Sequence, residues 1–486
     1  MTQGYRCGIN QDKMRLNLLL AFVFTSVFSF AQDGYQITIE TTNYENDTLI
    51  TGYYYADRQL VQDTLMGTDG IFVMEGEETL HPGMYLAIFK PNNDFVQFAV
   101  NENEQRFTMK VDKNDIGKVT FDGSQDNEIF YQYIDFIQSQ NKDADKYRKA
   151  IEDAKARNEV DEQAEMKMAE IDQKVKAYQQ NIVNQYPDFI TSRLLKSSFN
   201  IDFPEFVGTE EEINNQKFYY YKDHYFDYID LGDSVNLRMP YLHQRITNYV
   251  DRLTPQIPDS IILSIEHILE KIAPAQETQR FYISHFLNNY AKSKIVGMDA
   301  IYVYMVDKYY SSGKADWVDE ETLNKLIDNA NMLRPTLIGK KAQDIKVIQQ
   351  DKSEISLYDL DSDYTLLYFY AYDCGHCKKS TPFLVDFYDK YKDKGVNVLA
   401  VCTKRDTTAC WDYVKEKKME GFYNGVDPNH RSGFKLKYDV RQTPKMYILN
   451  REKEILIKNF PAEEIESIMD DIIRIENEKK KALGSE

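Results

Sequence analysis

Thr365-Leu366-Leu367-Tyr368-Phe369-Tyr370-Ala371, followed after Tyr372 and Asp373 by Cys374-Gly375-His376-Cys377, decides how this chain is read. The first run is apolar and aromatic, and it reads as a buried strand. The cysteine tetrad is followed by Lys378, Lys379, Ser380 and a helix-like run to about Tyr391. Strand, sharp turn, Cys-x-x-Cys and helix is a setting in which two cysteines do redox chemistry. Cys374 falls at a helix N-terminus, where unpaired N–H groups and the helix dipole favour a thiolate. Cys377 lies one turn on, within reach of a disulfide. His376, when protonated, would stabilise the thiolate further.

The surrounding pattern is βαβ. Ile345–Ile348 and Glu354–Leu357 read as a hairpin, Leu366–Ala371 as a central strand and Cys377–Tyr391 as a helix. Val396–Val401 reads as a second parallel strand, and Thr407–Lys417 as a helix capped by Asp406. An irregular stretch over Gly421–Gly433 is expected next. Lys445–Leu449 and Glu454–Lys458 then form strands about the turn Asn450–Lys453, and Pro461 starts a last helix. Thr443-Pro444 directly precedes the first of these strands.

With this proline downstream of the tetrad, the chain resembles the thioredoxin superfamily, in particular the TlpA/ResA-like thiol–disulfide oxidoreductases of the envelope of diderm bacteria. The resemblance covers roughly residues 335–480. It implies a cis peptide bond before Pro444, and a Thr443 backbone that pairs with an extended substrate beside Cys374. By the same resemblance, Gly-His is the pair of protein disulfide isomerases, which are more oxidising than thioredoxin.

Two departures from that pattern matter. Thioredoxin buries an acidic residue beneath its cysteines; here that position holds Tyr368. The place before the first cysteine, commonly tryptophan, holds Asp373, whose carboxylate opposes thiolate formation. The direction of redox chemistry therefore stays open. Glu354, Asp359 and Lys404 are candidates for the missing proton path.

Residues 32–122 show short alternating segments, including Tyr35–Ile39, Gly83–Phe89 and Phe95–Val100, with turn signals between them. They read as a β-sandwich. Residues 123–334 read as a mainly helical domain, and 335–486 as an α/β thioredoxin fold. Ile171, Val175, Tyr178 and Ile182 form one helical stripe. The charge run Asn158–Glu170 reads as a solvated helix face. The aromatic run Lys217–Asp230 reads as a tyrosine-rich helix packed between layers. His224, His243, His267 and His285 are scattered, without metal-ligand spacing. Both body segments are similar to uncharacterised domains found ahead of TlpA/ResA-like modules.

Residues 1–31 read as a signal peptide: Lys13 and Arg15, then an apolar run Leu16–Phe30, then Ala31. About fifteen apolar residues fall short of the roughly 20 that span a bilayer, so no transmembrane span is expected in the mature chain. A net charge of −19 argues against a nucleic-acid surface. Export places the protein in the periplasm or cell envelope and gives its cysteines a redox meaning. Residues 32–373 contain none, which is not the pattern of a disulfide-stapled scaffold.

Haem c attachment needs histidine after the second cysteine, where Lys378 stands. Structural zinc needs a better second half than Cys402-x7-Cys410. A peroxidatic Pro-x-x-x-Thr-x-x-Cys pattern is missing before Cys374. The expected function is exchange with protein disulfides or dithiols, with Cys374 as nucleophile, Cys377 resolving, and no cofactor or metal. A membrane or periplasmic redox donor would recycle the pair. The alternative is an envelope scaffold whose redox domain serves one client. Cys402 and Cys410 are either a second disulfide, two buried small side chains, or a relay.

Overall fold

A computed structural model describes residues 34–483, so the expected signal peptide at 1–31 lies outside the described residues. Eight strands come first: β1 (Tyr35–Thr42), β2 (Thr48–Tyr55), β3 (Arg58–Met66), β4 (Ile71–Gly76), β5 (Gly83–Phe89), β6 (Asp94–Val100), β7 (Arg106–Asp112) and β8 (Val119–Asp122). They form two sheets, in the orders β4-β1-β7-β8 and β3-β2-β5-β6. Side chains alternate across a strand, so Ile37 and Ile39, Phe72 and Met74, and Phe107, Met109 and Val111 turn into one core. Tyr85, Ala87, Phe89, Val96 and Phe98 of the other sheet join the same core.

Strand β5 breaks the alternation, with six of its seven residues buried. Its second face is covered by a 3-10 turn, Ser234–Arg238, from the helical region. Gly83 admits that approach, since a Cβ there would lie 2.4 Å from the Cβ of Arg238. The N–H of Ala56 donates to the carbonyl of Leu237 at 2.8 Å across the same contact.

Nine helices follow: α1 (Gln125–Ala156), α2 (Glu162–Gln185), α3 (Ile190–Lys196), α4 (Glu210–Asp223), α5 (Leu242–Arg252), α6 (Pro258–Ile272), α7 (Gln276–Ala291), α8 (Asp299–Met305) and α9 (Glu320–Leu333). The start of α1 is built into the sandwich. The Asn127 side-chain amide accepts from the N–H of Ala99 and donates to its carbonyl, each bond 2.7 Å long. The Asp126 carboxylate accepts from the N–H groups of Ile190 and Thr191 at 2.8 and 3.1 Å and so caps α3. Phe130, Tyr131, Ile190, Val235 and Met239 complete the sandwich core, so sheets and helices share it. A second core gathers Leu242, Ile246, Ile261, Ile265, Tyr282, Phe286 and Ile301.

The structure corrects two expectations for this region. Residues 158–161 are not helix: Asn158 has φ 57°, and Asp161 caps α2, so the charge run includes the turn between α1 and α2. The aromatic run is not packed between layers. Helix α4 has no buried side chain, and Phe218 and Tyr219 are exposed. Four successive aromatics spread around the whole helix, and a surface helix buries only one stripe. Tyr225, Phe226 and Ile229, past its end, do enter the core. The rings of His243 and His285 lie 4.9 Å apart between α5 and α7.

The C-terminal unit contains β9 (Lys346–Ile348), β10 (Glu354–Ser356), β11 (Tyr364–Tyr370), α10 (Gly375–Tyr391), β12 (Val396–Cys402), α11 (Thr407–Glu416), β13 (Tyr423–Val426), α12 (Phe434–Lys437), β14 (Lys445–Leu449), β15 (Ile455–Lys458) and α13 (Ile465–Leu483). One sheet runs β10-β9-β13-β12-β11-β14-β15, with β11, β12 and β13 parallel. All seven residues of β11 are buried, because each face of the sheet is covered. Leu366, Tyr368 and Tyr370 meet α10 and α13; Leu367 and Phe369 meet Phe434, Tyr438 and Tyr447. Strand β13 falls in the stretch expected to be irregular. Asn424 and Gly425 are poor strand formers, and the pairing with β12 decides their state. Gly425 is needed there, since a Cβ would sit 2.2 Å from Val347 Cγ2.

Two polar contacts join this unit to the body. Buried Lys458 pairs with Asp299 at the start of α8, and Arg441 donates to Asn329 at 2.8 Å. No helix among the described residues is long and apolar enough to cross a membrane.

Replacing Asn127 by Ala leaves the Ala99 N–H and carbonyl buried without partners. We expect a loss of about 2–4 kcal/mol, seen as a lower urea midpoint at an unchanged m-value. An unchanged midpoint would show that this clasp contributes nothing.

Candidate active site

Helix α10 begins beyond the C-terminal end of β11, and Cys374 is its N-cap residue, with extended backbone at φ −83° and ψ 118°. Its sulfur takes the place of the usual capping oxygen, accepting from the N–H of Cys377 at 3.2 Å. On its other side the Cys374 thiol donates to the carbonyl of Thr443 at 3.3 Å. The Thr443–Pro444 bond is cis. Cys374 is half-buried, whereas Cys377 is fully buried.

The two thiols differ accordingly. Partial burial pushes the Cys374 thiol up, but donation from the Cys377 thiol and N–H, from Thr443 and from the His376 N–H outweighs it, and the net shift is downward. Burial pushes Cys377 up to about 12, with the neighbouring sulfur adding to the shift. His376 reaches the sulfur through its backbone, while its side chain is exposed. Gly375 has nothing within 4 Å of where a Cβ would stand, which leaves that side open.

Asp373 does not stand as a bare charge beside the nucleophile. Lys404, just after β12, pairs with it at 2.7 Å, and that hydrogen bond holds the Asp373 carboxyl below its usual range. The hydrogen bond to Asp373 raises the Lys404 amine, and the Cys374 sulfur adds to this shift. Of the three candidates for a proton path, Glu354 sits on edge strand β10 and Asp359 accepts from the Ser356 N–H, so only Lys404 lies at the site.

Beneath Cys377, three hydroxyls meet that the sequence reading did not connect. Thr381 Oγ1 donates to the Cys377 carbonyl at 2.8 Å and lies 3.0 Å from the Tyr368 hydroxyl and 2.9 Å from that of Tyr413. Thr381 was legible in principle, four residues along the helix from Cys377. Tyr413 comes from α11 and carries no local signal. Cys402 and Cys410 form a disulfide with a Cα–Cα distance of 6.1 Å, tying α11 to the end of β12. Among the described residues, no group of three or more His, Cys, Asp or Glu side chains could hold a metal ion.

Residues 338–457 match the AhpC/TSA family. Residues 35–130 and 156–334 match two domains of unknown function, DUF4369 and DUF5106. The chain is 28% identical over 123 residues to the thiol–disulfide oxidoreductase ResA of Bacillus cereus, covering 25% of this chain and 68% of that one. A crystal structure of a domain of a possible thiol–disulfide isomerase from Cytophaga hutchinsonii is 32% identical, covering 30% of this chain and 97% of that one, with a TM-score of 0.28. A thioredoxin-like protein from Bacteroides caccae is 18% identical, covering 56% and 98%, with a TM-score of 0.42. The C-terminal unit thus matches the AhpC/TSA family and is similar in sequence to a thiol–disulfide oxidoreductase, and two further matched domains precede it.

The Asp373–Lys404 pair makes a directional prediction. Asp373→Asn frees the lysine and should lower the Cys374 pKa. Lys404→Met should raise it, and the double variant should return near the native value. Both side chains are largely exposed, so each shift should be roughly half a unit to one unit. The pH dependence of Cys374 alkylation measures it; equal pKa values in all four proteins would show that the pair does not act on the sulfur.

Proposed function

We propose that this TlpA/ResA-like chain is an exported thiol–disulfide oxidoreductase that acts on protein disulfides and dithiols through Cys374 and Cys377. The observation that carries the reading is the asymmetry of the two sulfurs: one capping a helix and half-open, the other fully buried and held protonated. As thiolate, Cys374 attacks a client disulfide; a Cys374–client bond forms and the first client sulfur leaves with a proton. Cys377 then attacks Cys374, the Cys374–Cys377 disulfide forms, and the second client sulfur departs reduced. Run in reverse, the same site oxidises a dithiol.

In this reading Thr443 offers its backbone to the client strand beside Cys374, and Pro444 keeps that loop facing the sulfur. The leader-like residues 1–31 support placement in the periplasm or envelope, where a membrane or periplasmic donor would recycle the pair. Because Lys404 offsets Asp373, the balance at Cys374 favours the thiolate and hence the reduced pair. The reduction potential should therefore lie above the value of about −270 mV typical of thioredoxin.

The body supports a second reading, in which it recruits one client for the redox domain. Phe203, Phe218, Tyr219 and Tyr228 leave exposed aromatic surface on the helical region. Peroxide reduction is less favoured, because Cys374 lacks the peroxidatic pattern before it.

Cys374→Ser should cut insulin reduction at least about a thousandfold, whereas Cys377→Ser should accumulate mixed disulfides. A folded native protein that neither reduces nor oxidises a disulfide would end the reading. Equilibration with glutathione gives the potential, and a value at or below that of thioredoxin would overturn the expected balance toward the Cys374 thiolate. Trapping by the Cys377 variant of one dominant partner would favour the recruiting body; a broad set would favour a general oxidoreductase.

A further inference from the structure

Cys377 must lose a proton before it can attack, and nothing packed around it is built to take one. Its neighbours are Tyr368 and Tyr370 from β11, Thr381 and Cys374 from α10, Tyr413 from α11 and Thr443 from the proline loop. The charged groups Asp373, Lys378 and Glu416 stand exposed on the rim, with Lys404 half-buried among them. The place of a buried carboxylate is taken by Tyr368, fully buried.

Counting protons gives the hydroxyl cluster a direction. The Cys377 carbonyl can only accept, so the single Thr381 proton goes to it at 2.8 Å. The Thr381 oxygen then has only lone pairs to offer, and the phenols of Tyr368 and Tyr413 both donate into it, at 3.0 and 2.9 Å. All three hydroxyl protons are committed, so none of these three groups stabilises a sulfur anion; the Thr443 side chain and the Ala371 backbone do favour the anion, but burial and the neighbouring Cys374 sulfur outweigh them. The arrangement is held firmly. The ring of Tyr370 stacks between Tyr368 and Tyr413, with centroids 5.4 and 5.1 Å away. Tyr413 lies one helical turn beyond Cys410, whose bridge to Cys402 fastens α11.

We propose that Thr381 is a positioning residue that draws both phenol protons away from Cys377 and so holds the resolving thiol protonated, which makes the mixed disulfide with a client a long-lived state at neutral pH. The inference rests on the exchange reaction proposed above and adds its slow step. Solvent hydroxide takes the Cys377 proton and becomes water. The Cys377 thiolate then attacks the Cys374 sulfur, the Cys374–client bond breaks, and the client sulfur leaves as a thiolate that water protonates. No further oxidant or reductant is consumed.

The test uses the full chain, reduced with a single equivalent of dithiothreitol and shown by mass to retain the Cys402–Cys410 bridge. It is mixed with an aromatic disulfide whose thiolate is coloured. The first release reports attack by Cys374, the second displacement by Cys377. The second rate should climb about tenfold per pH unit from about pH 6 to pH 9, following the thiolate fraction. Thr381→Val frees both phenol protons to turn toward the sulfur, so its second release should be at least about threefold faster at neutral pH. Adding Tyr368→Phe and Tyr413→Phe should remove that gain, and Thr381→Ser should behave as the native protein. A second rate that levels off near neutral pH would reveal a resident base and overturn the proposal. So would a valine variant no faster than native. Absence of the first release would instead overturn the exchange reaction, and this inference with it.

Discussion

An α-helix leaves its first backbone N–H groups without partners, and in α10 one of them is satisfied by sulfur rather than oxygen. The rest of the C-terminal unit can be understood from that bond. Holding Cys374 at the N-cap requires a strand that delivers it there, and β11 does so from the middle of a sheet covered on both faces. It also requires an acceptor for the thiol proton, which the loop before Pro444 supplies through the Thr443 carbonyl. Once Cys374 is the cap, Cys377 is carried into the core one turn later. The contrast between a lowered and a raised thiol then follows from burial and hydrogen bonding rather than from any charged side chain in direct contact.

The body is organised by a different constraint. A sheet in which a strand such as β5 is apolar on both faces has to be covered, and the helical region does this with the Ser234–Arg238 turn. The Asp126 and Asn127 side chains then satisfy backbone groups that the junction buries. Sandwich and helices thereby share one core, although each has its own periodicity. The redox unit joins this assembly through Asp299–Lys458 and Arg441–Asn329, a more polar contact.

Much of the redox unit was legible in residue order. The hairpin at 346–356, β11, α10, β12, α11 and the last two strands all carry local signals: apolar runs of strand length, an N-capping Asp406, and turn residues at 450–453. Strand β13 was not legible, because Asn424 and Gly425 lack strand propensity and are held by neighbours far away in sequence. The exposure of α4 was not legible either, since a run of aromatic residues states a preference for burial but not which surface will supply it.

Residue order thus carries what depends on short range: which segments are strand or helix, that two cysteines flank a helix start, and that a long cysteine-free stretch precedes them. Contacts between distant segments settle the rest. They pair Asp373 with Lys404, bridge Cys402 to Cys410, and bring Tyr413 onto Thr381 beneath Cys377. The physical reason is that acidity and proton transfer depend on distances of a few ångströms in a poorly solvated interior. Those distances are set by how helices and strands pack, which no local pattern encodes.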